Sequence, residues 1–348
     1  MADLALLASH AAFSMTTLSA AIQKAPYVPQ LLGQMNIFTP ERSRTTTIAV
    51  EEKGGMLSLI PVSERGAPLD EGKGEQRTIK YFATTRIARG KTLFASELQN
   101  IRAFGETSEL QGVQNQIAEM MNGTTGLRAA VELTHEHMRL GAVQGKVMDA
   151  AGNVLHDWFA QFGIARPATI DFDFAGATET EGKVRVKCNQ VIRAMMRASH
   201  GAWLPGMTRV VALCGDNFFD DLTSNKETRS TYLSQLGAGE LRNDVGQAFG
   251  TFRYGNIDFI NYRGTDDKST VAINDDECQF FPVGAPDAFK VGFSPAEFLP
   301  FVNTPGQDVY AMVVLDKDRQ AWARPEVYSY PLFMCTRPGM LQRGKRKA

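Results

Sequence analysis

The sequence predicts an α+β chain, and three features carry that prediction. A helical period runs from Gly105 to Gly141, a charged β-patterned arm precedes it, and a mixed α/β stretch follows it before strands return near the end. At 348 residues with 43% apolar content, the chain can bury a large core, as two domains or one elaborated one.

The arm comes first in the chain. Thr16 and Thr17 can cap a short helix, LSAAIQK, that Pro26 ends, and Pro29 is expected to keep YVPQLLGQMNIF extended. Its apolar residues, among them Phe13, Leu32 and Phe38, precede any domain-sized pattern, so they must dock on something distant, in this chain or another. From Glu41 to Lys91 the charge density rises to 17 residues in 51, a third, against 22% overall. Within it TTTIAVEE alternates as a strand, Lys53-Gly54-Gly55 reads as a turn, MLSLIPV returns, and TIKYFATTRIA follows a polar tip of fourteen residues. Such an arm is too thin to hold a core of its own and needs a partner surface.

In the helical stretch Leu110, Val113, Ile117 and Met120 recur at helical spacing, and the pattern resumes in phase at Leu127, Val131 and Met138. Taken alone it fits either one helix of roughly 50 Å or two ordinary helices joined at Gly123-Thr124-Thr125-Gly126. The absence of sustained a/d heptads with charged flanks argues against a coiled coil. Gly123 and Gly126 each cost about 1 kcal/mol relative to Ala inside a helix, which predicts a bend or short break there.

Behind the helix, KVMDAAGNVLHDWFAQFG reads as a hairpin turning at Ala151-Gly152-Asn153, with Trp158, Phe159 and Phe162 for packing, and PATIDFDF as a strand. VRVKCNQVIRAMMRASHG is a helix with Val186, Val191, Ile192, Met195 and Met196 on its apolar side. TRVVALCG is a buried strand, DNFFDDLTSN a short helix capped by Asp216, and GNIDFINYRG and ECQFFPVG are further strands. The end is strand-rich and closes on Arg343, Lys345, Arg346 and Lys347.

Composition excludes several functions. Thirty-seven basic and 38 acidic residues give a net charge of -1, so no global field marks tight nucleic-acid binding. The four cysteines, Cys188, Cys214, Cys278 and Cys335, form no CxxC pair and read as reduced, buried thiols. The apolar opening carries Asp3 where a secretory signal needs basic residues, and no segment approaches the roughly 20 apolar residues of a membrane span.

The chemical motifs are weak. Gly90-Lys91-Thr92 resembles the end of a phosphate-binding loop, but position 85 is Thr where that loop needs Gly. His135-Glu136-His137 spaces its histidines at i, i+2, on different sides of a helix, and reads as surface or interface histidines. Asp216, Asp220 and Asp221 read as a solvated helix face, Asp275-Asp276-Glu277 as an acidic loop, and Asp171 with Asp173 as a solvent-facing edge. The basic tail is either solvated or touches nucleic acid or an acidic surface weakly. With no convergent titratable set, the chain is expected to be no enzyme and to need no cofactor or metal.

The ordered series PYVPQLLGQMNIF, TTTIAVEEKGGMLSLIPVSERGAP, LRAAVELTHEHMRLGAVQGKVMDAAGNVL, DFINYRG and FFPVGAPDAFKVGFSPAEFLPFVNTPGQDVYAM resembles the lambda-type major capsid protein E family of tailed phages, with its HK97-type fold. The resemblance runs from about Phe13 to the C-terminus. It implies an N-terminal arm at 1–44, an extended loop at 45–90, a peripheral domain at 91–180 and 301–348 with a spine helix at about 105–141, and an axial domain at 181–300. It implies a structural protein of the virion capsid that assembles in the host cytoplasm into hexamers and pentamers of an icosahedral head around double-stranded DNA. An encapsulin-like shell storing an enzyme cargo is the alternative on the same fold.

The implied partners are other copies of the chain, a separate scaffolding protein, a portal at one vertex, a possible decoration or cementing protein, and DNA contacted weakly. No membrane is implied. Arg65, Asp70, Lys73, Arg77 and Lys80 are the expected intersubunit residues of the extended loop, and Gly123 and Gly126 the bend of the spine. Since the resemblance begins near the start of the chain, no large N-terminal cleavage is expected. No carboxylate beside Lys53, Lys73 or Lys80 suggests covalent cross-linking either.

Overall fold

The computed structural model describes residues 31–54, 76–98, 109–123, 125–174, 182–229, 250–262, 271–319 and 321–346. A six-stranded mixed sheet has β9 (Arg209–Cys214) and β12 (Glu277–Val283) at its middle, antiparallel to each other. Both are near-continuous apolar runs, as strands buried on two faces must be. Beyond β9 lie β11 (Ile257–Asn261) and β10 (Thr251–Tyr254); beyond β12 lie β17 (Gln342–Lys345) and β8 (Ile170–Asp171). The sheet therefore takes its last two strands from outside residues 181–300. Of the expected strand at PATIDFDF, only Ile170–Asp171 pairs.

Alternation along β9 sends Val210, Ala212 and Cys214 to one face and Val211 and Leu213 to the other. The first face is covered by α6 (Lys183–Ala198) and α7 (Asp216–Ser224). Helix α6 buries Val184, Cys188, Val191 and Met195. Val186 and Met196, expected on that side, are 62% and 45% exposed, because they fall about 170° and 110° round the helix from the centre of the buried stripe. Asp216 is not the cap of α7 but its first residue. Gly215 caps it, and a Cβ there would lie 2.2 Å from the Asn274 carbonyl oxygen.

The opposite face packs on α4 (Leu127–Gln144) and on a three-stranded sheet of β1 (Thr39–Arg42), β13 (Phe289–Phe293) and β16 (Pro331–Cys335). Helix α3 (Glu109–Asn122) precedes α4 and is separated from it at 123–126. Their stripe is continuous across the break. Ile117 and Met121 of α3 and Leu127 and Val131 of α4 enter one cluster with Leu93, Val309, Ala311 and Val327. That cluster lies on a sheet of β14 (Tyr310–Leu315), β15 (Trp322–Ser329) and β4 (Ile87–Gly90), to which β5 (Leu93–Phe94) adds at β15.

The helical stretch expected at about 105–141, with a bend or short break at Gly123 and Gly126, is two helices among the described residues, and the second continues to Gln144. Gly141 is a packing residue: a Cβ on it would meet the Lys146 oxygen and Val147 Cα at 2.9 Å. The stop is Gly145, left-handed at φ 79°, whose N–H returns to Ala142 and Gly141 carbonyls. The expected 151–153 hairpin follows, with β6 (Lys146–Met148) against β7 (Val154–Asp157). Beyond it, WFAQF is a helix, α5 (Trp158–Phe162), because the Asp157 carboxylate caps the Phe159 and Ala160 N–H groups.

Two expectations in the arms need correction. YVPQLLGQMNIF is not extended throughout, since Leu31–Gln34 form a helical turn, α1. The turn expected at Lys53-Gly54-Gly55 does not begin there. Strand β2 (Thr47–Gly54) pairs with β3 (Gln76–Ala83) out to Gly54 opposite Gln76, so its partner is TIKYFA, while MLSLIPV lies outside the described residues. Among the described residues no helix is long and apolar enough to cross a membrane.

Candidate functional site

The described start of the arm is fastened by one buried carboxylate. Glu136, on α4, is 0% exposed and accepts the Leu32 N–H at 2.8 Å, the Gly33 N–H at 3.1 Å, the Tyr262 hydroxyl at 3.2 Å and Arg139 Nη1 at 3.3 Å. The two N–H groups belong to the first turn of α1, where no backbone acceptor exists, and a carboxylate satisfies both. Glu136 thereby joins three parts of the chain: the arm, the long helix and the end of β11. Leu32 is fully buried beside it, and Phe38 packs on Phe289 and Phe333 with ring centroids 5.3 and 5.5 Å away. Residues 31–42 therefore dock on their own chain.

His135 and Glu136 are consequently core residues, against the expectation that His135 is a surface or interface histidine. Stepping 100° per residue from Val131 places Glu132, His135 and Glu136 inside the wide arc spanned by Leu127, Met138 and Leu140, so helical phase is the signal that identifies them. His135 Nε2 lies 3.0 Å from Ser329 Oγ, which donates to the Asp308 carbonyl at 2.6 Å, and Nδ1 lies 3.9 Å from Glu132 Oε2.

Burial, with Arg139 adding, pushes His135 down to about 3, while burial raises Glu132 against the pull of Arg139 and Arg128. Native His135 binds fewer protons than the unfolded chain, so its contribution to stability is complete above the ordinary histidine value and is lost as pH falls towards 3. Glu132 acts in the opposite sense, weakening the fold as pH rises above the ordinary carboxylate value. In unassembled protein, the unfolding free energy of wild type minus that of His135→Gln should therefore rise with pH between about 3 and 6.5, by up to about 1.4 kcal/mol per unit. A flat difference across urea titrations would mean that His135 takes up its proton as readily in the fold as in the unfolded chain.

The β2–β3 hairpin has two unlike faces. Ile48, Val50, Lys80 and Phe82 face the core. Lys80 Nζ donates to the Gln161 carbonyl at 3.1 Å and lies 5.1 Å from the Phe162 ring centroid. On the other face Ile79 and Tyr81 are 54% and 69% exposed. Of the expected intersubunit residues, Lys80 is thus held by its own chain, Arg77 has only its place in β3 described, and Arg65, Asp70 and Lys73 lie outside the described residues.

The remaining candidates resolve as structure. Gly90-Lys91 ends β4, with the Lys91 N–H on the Pro325 carbonyl. Asp173 pairs with Lys183 at 2.6 Å, and Asp171 accepts the Asp173 N–H. Arg346 of the basic tail reaches Asp221 at 2.7 Å and Asp276 at 3.2 Å, and Arg343 lies 3.9 Å from Glu277, so both engage acids of this chain. All four cysteines are free and buried, and burial pushes the Cys188 and Cys335 thiols up to about 12. Among the described residues no three or more His, Cys, Asp or Glu side chains gather where a metal could sit.

Comparison with known proteins matches residues 14–346 to the family described as phage major capsid protein E. The major capsid protein of Pseudomonas phage KPP10 is 25% identical over 87% of this chain and 89% of its own length. That of Salmonella phage Felix O1 is 23% identical over 94% of this chain and 95% of its own. Among solved structures, the putative capsid protein of a prophage of E. coli CFT073 aligns over 95% of this chain and 98% of its own, at a TM-score of 0.54 and 15% identity. The cyanophage A-1(L) capsid aligns over 92% and 94%, at 0.50 and 11%.

Proposed function

This chain belongs to the phage major capsid protein E family, and from that membership we propose that it self-assembles into the hexamers and pentamers of an icosahedral head around double-stranded phage DNA. It is a structural capsid protein of HK97-type fold, and its place is the virion. An encapsulin-like cargo shell is not favoured, because both curated relatives are tailed-phage major capsid proteins.

The observation that best supports assembly is the outer face of the β2–β3 hairpin. A two-stranded ribbon is marginal alone, and this one buries a single face while leaving Ile79 and Tyr81 in solvent. A neighbouring copy would cover that face, and heterologous contacts of this kind close into rings. In this reading residues 1–44 are the arm, 45–90 the extended loop, 91–180 with 301–348 the peripheral domain, and 181–300 the axial domain. The six-stranded sheet crosses that last boundary at β8 and β17. A separate scaffolding protein, a portal and a cementing protein would be partners, with assembly in the host cytoplasm.

Replacing Ile79 and Tyr81 together by Ser tests the hairpin. Both side chains are exposed, so the unassembled variant should unfold within about 0.5 kcal/mol per site of wild type. Electron microscopy and light scattering should then show capsomers or shells from wild type and few or none from the variant. Shells at wild-type yield would remove the hairpin face from the interface. A wild-type chain that stays a 38.2 kDa monomer with scaffold present would remove the assembly reading altogether.

A further inference from the structure

We propose that the outer face of α6 is a contact surface for the phosphates of duplex DNA, formed by Arg185, Arg193 and Arg197 with Asn189 among them. It rests on the reading that this chain encloses DNA. Helix α6 carries five cations and no acid in 16 residues, in a chain whose net charge is -1. Lys183 is paired with Asp173, whereas no salt bridge among the described residues reaches the other four.

Their placement makes a row. Arg185, Asn189, Arg193 and Arg197 follow one another at i, i+4 spacing along a single ridge, and all four are exposed. The stripe opposite, Val184, Cys188, Val191 and Met195, holds the helix on the sheet, so the ridge points outward.

The charges do not serve the helix. Lys183 and Arg185 lie in its first turn, where the macrodipole disfavours cations, and Arg193 repels Arg197 at i, i+4. Only Arg197, in the last turn, is favourably placed. A partner anion accounts for what local stability does not.

Arginine and side-chain amides are the groups that hold phosphate oxygens, and the ridge holds no aromatic residue on which unpaired bases could stack, which favours a duplex. Its exposed apolar residues, Val186 and Met196, are ten positions or about 15 Å apart, too scattered for the apolar centre of a protein interface. A few contacts in a near-neutral chain give weak, salt-sensitive binding, which suits a genome that must leave.

The test is anisotropy of a labelled duplex with full-length protein kept unassembled, over a salt series. Three charged phosphate contacts predict a slope of log K against log salt of about −2.7. Arg193→Gln with Arg197→Gln should bring it to about −0.9, and Arg185→Gln alone to about −1.8. Arg185→Gln should also leave the melting temperature level or raise it, which guards against a folding defect. Wild-type slopes in both variants, or no duplex binding by wild type, overturn the proposal. So does loss of shells in the variants with the slope intact, which would assign the ridge to another copy of the chain. Since shells are scored separately by microscopy, a wild type that forms none sinks the capsid reading, whereas shells with unchanged slopes sink only the ridge.

Discussion

Glu136→Ala is expected to cost about 3–5 kcal/mol of folding free energy. The removed carboxylate accepts two backbone N–H groups, a tyrosine hydroxyl and a guanidinium, all at a position without solvent. Water cannot replace these bonds cheaply, so the variant leaves several buried donors unmade and Arg139 without its partner. Glu136→Gln keeps the volume but offers one acceptor oxygen and turns an NH2 group towards an N–H donor, so it should fall between Ala and wild type. Urea unfolding measures both. Limited proteolysis separates local from global loss, because cleavage near residues 31–38 should accelerate before the sheet yields. A loss below about 1 kcal/mol with an unchanged cleavage pattern would show that the apolar anchors Leu32 and Phe38 hold the arm without Glu136.

The clasp also marks where the sequence was legible and where it was not. Strands β9, β11 and β12 and helix α6 follow from period and apolar content, because each carries its buried residues within its own local pattern, although α6 leaves two apolar residues outside it. Glu136 does not announce itself, since its partners lie 104 and 126 residues away and only the tertiary fold brings them to it. The arm and the hairpin were misread in detail for a related reason. Leu31–Gln34 turn helical because an acceptor waits on another helix, and β2 ignores the nearest turn signal because QRTIKYFA offers it an eight-residue ladder. Turn chemistry is a local preference, and the pairing that buries Ile48 and Phe82 outweighs it. Val186 and Met196, expected on the apolar side of α6, are exposed because helical phase and not apolar identity decides which residues the helix buries.

Replacing Gly123 and Gly126 together by Ala is expected to change the geometry of assembled particles, or their yield. Helix α3 closes with the Gly123 N–H on the Glu119 carbonyl, the Gly126 N–H returns to the Gly123 carbonyl, and α4 opens with the Ala130 N–H on Gly126. A Cβ on Gly123 would lie 2.6 Å from the Glu119 oxygen. One on Gly126 would lie 2.8 Å from both the Met121 and Gly123 oxygens, and these are backbone atoms that cannot rotate aside. The broken form is therefore penalised. A continuous helix gains about 1 kcal/mol from each Gly→Ala change, and the apolar stripe is already in phase on both sides of the break. Both terms push towards one straight helix. If α3 and α4 together form the spine of the subunit, its bend sets how Leu93, Val309 and Val327 on the sheet meet the two halves. Straightening it alters the angle a subunit presents to its neighbours, and closed shells amplify small angular changes. Circular dichroism should register a gain in helix, and electron microscopy a shift in particle diameter, aberrant shells or a fall in closed ones. Particles of wild-type size and yield, together with added helix, would separate the break from curvature and leave it a local accommodation of the GTTG sequence.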